Sequence, residues 1–165
     1  MTAAPPAPLS NDVLAMMRRG VSVIVSSRDA ALRPSIMRAV GSDVAADGSR
    51  ITVYLARSQA GQLLQDIAST GWLAVVFSEP STHRSVQLKS SQAALRPAQQ
   101  ADRPVLAVYL AAMEQEIAKV GFAAPLTRAL LAHRLEDLVA VDFAPEQAFD
   151  QTPGPRAGRQ LERGA

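Results

Sequence analysis

Val21-Ser-Val-Ile-Val-Ser26, Arg33-Pro-Ser-Ile-Met-Arg-Ala-Val40 and Arg50-Ile-Thr-Val-Tyr-Leu55 are three strand-like runs in succession. A helix-like stretch from Ser58 to Thr70 follows, then two further runs, Trp72-Leu-Ala-Val-Val-Phe77 and Arg84-Ser-Val-Gln-Leu-Lys89. The order β-β-β-α-β-β decides the fold. Val21, Val23 and Val25 alternate with Ser22, Ile24 and Ser26, and Ile51, Val53 and Leu55 alternate with Thr52 and Tyr54. That period of two places one apolar face on each strand. Asp47-Gly48 is a turn signal between the second and third runs. Ser58 stands where a helix N-cap is expected and Gly71 where a left-handed C-terminal residue is expected. The Trp72–Phe77 run is almost wholly apolar and predicts a strand buried on both faces. Val86 and Leu88 alternate with Ser85, Gln87 and Lys89, which sets three polar side chains on one face.

Working outward, Ser10 caps a first helix whose Val13, Leu14 and Met17 fall at helical spacing and which ends at Gly20. Downstream, a longer helix starts near Asp102 and Pro104, carries Leu106, Leu110, Met113, Ile117 and Val120 at three- and four-residue steps, and stops at Gly121. Leu126 to Leu135 continues the helical layer, and Leu138-Val-Ala-Val-Asp-Phe143 is a final strand. The expected organisation is a flexible lead at 1–9, one domain at 10–143, and a Pro/Gly/Arg-rich tail at 144–165, extended and not helical.

Composition excludes several classes of chemistry. There is no Cys, hence no disulfide, thiol nucleophile or Cys-based zinc site, and two histidines cannot build a multi-histidine metal site. The first residues carry neither the basic region nor the apolar run of a secretory signal, and no stretch approaches the ~18 apolar residues of a membrane span. The expectation is a soluble, cytoplasmic protein. Net charge is only +2, the arginines are scattered, and aromatics are 4% of residues, which argues against a nucleic-acid surface.

The ordered strands, Arg33-Pro34, the Ser58 turn and Thr82-His-Arg-Ser-Val-Gln-Leu-Lys89 resemble the pyridoxamine 5′-phosphate oxidase-like family. The resemblance spans about Val13 to Phe143. It implies a mainly β, α+β fold: a six-stranded antiparallel split β-barrel of the FMN-binding type, holding FMN at a homodimer interface. It places cofactor contacts at Met37, Arg38 and Ala39 on the second strand, and at Arg57, Ser58 and Gln59 after the third. On the fifth strand it places them at Arg84 and Ser85, with Gln87 and Lys89 sharing the polar face. The oxidases' phosphate-gripping Arg-Lys pair falls on Gln62 and Leu63 here, and the only tryptophan is Trp72, so the chain is a divergent relative and not a true pyridoxamine phosphate oxidase. Arg57 and the N–H groups at the Ser58 helix start are the expected substitutes for the lost cations.

Nothing in the sequence names a catalytic residue. His83 follows the Glu79-Pro80 turn and reads as a solvent-exposed loop histidine, and Glu114 and Glu116 point different ways from one helix. The implied function is a flavin-dependent oxidoreductase acting on a small molecule. The alternatives are a non-catalytic flavin- or haem-binding sensor and a cofactor-free structural dimer.

Overall fold

The computed structural model describes residues 9–161, so residues 1–8 of the expected 1–9 lead and residues 162–165 of the expected tail lie outside the described residues. Nine strands form two antiparallel sheets. In chain order they are β1 (Ser22–Arg28), β2 (Pro34–Arg38), β3 (Gly41–Val44), β4 (Ile51–Ala56), β5 (Leu73–Ser78), β6 (Ser85–Ser90), β7 (Ala94–Pro97), β8 (Leu138–Phe143) and β9 (Gln147–Asp150). The helices are α1 (Asn11–Met17), α2 (Gly61–Thr70), α3 (Arg103–Lys119) and α4 (Ala124–Leu130). One sheet runs β2-β1-β5-β6-β9 and the other β3-β4-β8-β7.

All six sequence-read strands are present, but the fold has more pieces than six. The run Arg33–Val40 ends as a ladder at Arg38, because the chain changes sheets there: Ala39 N–H donates to Val23 C=O while Val40 N–H donates to Tyr54 C=O. That switch ties the two sheets together, and Gly41–Val44 continues as β3. The short strands β7 and β9 carry no long apolar alternation and were not read. β9 also moves the end of the domain: residues 147–150, expected in the tail, pair with β6.

The inner faces of both sheets meet in one core, with Val23, Val25, Val53, Leu55, Val75, Phe77, Leu88 and Val141 at most 0% exposed and α1 contributing Met16 and Met17. Ser10 Oγ accepts from Val13 N–H at 3.3 Å, so the expected cap forms, and α1 buries Val13, Leu14, Met16 and Met17 in the core. The four-stranded sheet is covered on both faces. Its outer side packs Val40, Tyr54, Ala56 and Ala140 against Leu106 and Leu135. Behind that layer, Arg96 bridges the carboxylates of Asp102 (2.8 Å) and Asp142 (2.9 Å), and Tyr54 Oη donates to Asp102 at 2.8 Å. The Arg96 guanidinium holds Asp102's carboxyl well below the usual carboxylate range, while burial pushes the Tyr54 phenol up.

The five-stranded sheet differs. Leu73, Val75 and Phe77 are buried, but Ala74 and Val76 are only half-buried, and Trp72 precedes the strand at 50% exposure. The expectation of a strand buried on both faces is therefore corrected. An apolar run shows that a surface avoids water-loving side chains, not that this chain itself covers it.

Candidate functional site

Strand parity and register assemble the outer face of the five-stranded sheet. On β1, Ser22, Ile24, Ser26 and Arg28 point outward, opposite the inward Val23, Val25 and Ser27. The ladders align Arg38, Ile24, Val76, Gln87 and Phe149 in one row across the sheet. The next row holds Ile36, Ser26, Ala74, Lys89 and Gln147. The predicted polar face of Ser85, Gln87 and Lys89 is thus real, and it lies beside the half-open apolar patch.

Three cations stand on this face, Arg28, Arg38 and Lys89, and none has a carboxylate within 4.0 Å among the described residues. Arg38 donates to Ser22 Oγ at 2.6 Å. It lines a cleft of ≈ 420 Å³ with Ser22, Ser78, His83 and Ser85, closed on the apolar side by Met113 and Ile117 of α3. Glu79 also lines it, but its carboxylate is engaged by Arg19 at 2.9 Å and by Thr82 Oγ at 2.6 Å. The Ser78 and Ser85 hydroxyls are 2.8 Å apart. At the other end of the face, the Arg28 guanidinium sits 5.2 Å from the Trp72 ring centre and the Lys89 ammonium 4.8 Å from that of Phe149.

The remaining expected contacts scatter. Met37 and Ala39 share the inward face of β2, Met37 packed on the core and Ala39 0% exposed, so neither offers a side chain to a ligand. Both alternate with Arg38, and a strand cannot turn consecutive side chains to one side. Arg84 pairs with Asp12 of α1 at 2.6 Å and faces a separate cleft. Arg57 borders another, of ≈ 480 Å³, with Gly61, Leu95 and Arg96.

The expected phosphate seat after β4 is corrected most sharply. Ser58 does not cap α2: the helix starts at Gly61 behind Ala60, with no side-chain cap. The N–H groups of this turn are already taken. Arg57 N–H donates to Asp137 C=O at 2.7 Å, Ser58 N–H to Asp137 Oδ1 at 3.1 Å, and Gln59 N–H to Ala56 C=O at 3.0 Å. Ser58 Oγ donates to Asp137 Oδ2 at 2.6 Å, and this hydroxyl and the Ser58 N–H hold Asp137's carboxyl below the usual range. An anion of the chain itself occupies the anion site. One turn further on, Gln62 donates to Asp66 Oδ1 at 2.8 Å and Ser35 Oγ to its other oxygen at 2.5 Å, while Leu63 is buried. Gln62 and Leu63 stand in place of the oxidases' two cations, and the corner holds the Asp66 carboxylate, while Arg57 at the same turn has no carboxylate within 4.0 Å among the described residues.

Arg28, Trp72, Ser22 and Ser78 were not singled out by the sequence reading. The signal was present: extending the β1 alternation by one step puts Arg28 on the face of Ser22, Ile24 and Ser26. His83, read as a solvent-facing loop residue, is exposed but borders the Arg38 cleft, and its backbone is held at φ +61°, a left-handed conformation uncommon outside glycine.

Among the described residues no helix is long and apolar enough to cross a membrane. No protein-family model and no curated protein matches the sequence. Solved structures do. A candidate pyridoxamine 5′-phosphate oxidase from Lactobacillus delbrueckii superposes with a TM-score of 0.55 at 15% identity, covering 86% of this chain and 93% of its own. HupZ from Group A Streptococcus gives 0.55 at 13% identity over 91% and 99% of the two chains. A Clostridium acetobutylicum protein related to general stress protein 26 of B. subtilis, of the pyridoxinephosphate oxidase family, gives 0.51 at 11% identity over 93% and 96%. The chain has the fold of the pyridoxamine 5′-phosphate oxidase-like split barrels.

Proposed function

We propose that this protein is a homodimeric FMN-binding protein that acts as a flavin-dependent oxidoreductase on a small molecule. The flavin lies on the outer face of the five-stranded sheet, with its phosphate on Arg38 and not at the start of α2. One observation carries the reading: an open, half-apolar sheet face bears Arg38 without a carboxylate partner among the described residues, while the turn after β4 already holds the carboxylates of Asp137 and Asp66. Ile24 and Val76 give a flat apolar floor for a ring, Gln87 offers an amide at its edge, and Ser22, Ser78 and Ser85 offer hydroxyls beside Arg38. When bound, the flavin supplies the electron transfer, and the chain supplies orientation and hydrogen bonds. His83 stands at the wall of the same cleft, beside Arg38 and Ser85.

A second copy is expected to cover part of this face, since Leu32 (68% exposed) and Ile36 (66% exposed) leave apolar surface at its β2 edge. The occupied phosphate cradle favours one rival, a binding module of the same fold that holds its ligand without turnover. The purified protein should sediment as a dimer and show flavin absorbance after incubation with FMN, and reduced nicotinamide should bleach those bands. A 17.5 kDa monomer without flavin bands overturns the proposal, and flavin bands that no reductant bleaches favour the binding module.

A further inference from the structure

The opposite end of the same sheet face holds a second cleft that the flavin reading does not use. It measures ≈ 310 Å³ and is lined by Ser26, Ser27, Arg28, Trp72, Ala74 and Lys89. Arg28 lies four residues beyond Ile24 on β1, and Ile24 stands opposite Arg38, so the backbones that carry the two cations are about 13 Å apart along the strands. That separation exceeds what one phosphate spans.

We propose that this second cleft binds a small aromatic compound bearing a carboxylate or phosphate, with the anion between Arg28 and Lys89 and the ring against Trp72. Two like charges sharing one cleft repel, and an anion between them removes the repulsion. Among the described residues eight cations, Arg19, Arg33, Arg84, Arg96, Arg128, Arg134, Arg156 and Lys119, have carboxylates within 4.0 Å, and Arg28 and Lys89 are not among them. Among the described residues Arg28 and Lys89 have only aromatic rings and, for Arg28, the Asp29 carbonyl at 3.3 Å. Those contacts hold both charges in place without neutralising them, as a preformed anion site requires. Trp72 is anchored for the same role. Its carbonyl accepts from Ser27 Oγ at 2.6 Å and its N–H donates to Thr70 Oγ1 at 3.2 Å, while half of its surface stays open. This inference stands whether or not a flavin binds at Arg38.

Trp72 is the only tryptophan, so its indole N–H gives a single, assignable NMR signal. The full-length protein is titrated with 1-naphthyl phosphate and, separately, with neutral 1-naphthol. The phosphate should shift the Trp72 signal saturably, and the naphthol should bind at least tenfold more weakly. Arg28→Gln and Lys89→Gln should each weaken the phosphate by about tenfold or more, the scale of a hydrogen bond to a charged group. Arg38→Ala and saturating FMN should leave it unchanged. No shift, equal affinity for naphthol, or undiminished affinity in the double variant overturns the proposal. So does competition by FMN, which would give this cleft to the flavin's own phosphate.

Discussion

Replacing Arg38 by Ala tests where a flavin phosphate is held, and pairing it with Asp137→Ala makes the test two-sided. Arg38 is anchored by Ser22 at 2.6 Å and has no carboxylate within 4.0 Å among the described residues, so a phosphate gains its charge without breaking an ion pair there. Hydrogen bonds to charged groups contribute about 1.5 to 3 kcal/mol, so Arg38→Ala should raise the Kd for FMN by roughly 10- to 150-fold. Riboflavin, which lacks the phosphate, should lose far less. Asp137→Ala removes the carboxylate that now accepts from the Ser58 N–H and hydroxyl, and frees both. If the phosphate sits at Arg38, this substitution leaves FMN affinity unchanged. The assay is quenching of FMN fluorescence on titration with protein, at fixed ionic strength because exposed charges are screened by salt. Unchanged affinity in Arg38→Ala together with tighter binding in Asp137→Ala would refute the reasoning and return the phosphate to the turn after β4.

Two further outcomes concern the scaffold. Asp102's carboxyl is depressed chiefly by the Arg96 hydrogen bond, so its contribution is complete above the unfolded value of about 3.9 and is lost as pH falls through the lower folded value. Asp102→Asn should cost about 2 to 3 kcal/mol at pH 7, since Arg96 keeps Asp142, and the gap in urea midpoint from the unsubstituted protein should narrow from about pH 4 downward. A gap that stays constant from pH 7 to pH 2 would contradict this. Gly20 has φ +68°, and a Cβ there would lie 2.6 Å from Ala112 Cβ and 3.0 Å from the Met113 nitrogen. Gly20→Ala should therefore destabilise by about 2 to 3 kcal/mol through left-handed strain and displacement of α3, and thermal unfolding at an unchanged midpoint would disprove that packing.

Six of the nine strands, their inward and outward faces, the α1 cap and the helical layer were written in the sequence, because a period of two or of 3.6 and a capping residue are local properties. The parity of Ser85, Gln87 and Lys89 was readable for that reason, and the parity of Arg28 was equally readable. Which face of the β5 run stays open was not, since an apolar residue looks the same whether its own chain or nothing covers it. The candidate site turned on contacts between residues far apart in the chain. Ser58 looked like a free cap and anion seat until Asp137, 79 residues away, was found accepting from its N–H and hydroxyl. Gln62 looked merely neutral until folding set it on Asp66, with Ser35 arriving from β2. The sequence by itself determined the elements and the polarity of each face. Only the tertiary structure decided which cations found a carboxylate and which were left open for a ligand, because ion pairing depends on distances that the chain's local periodicities do not encode.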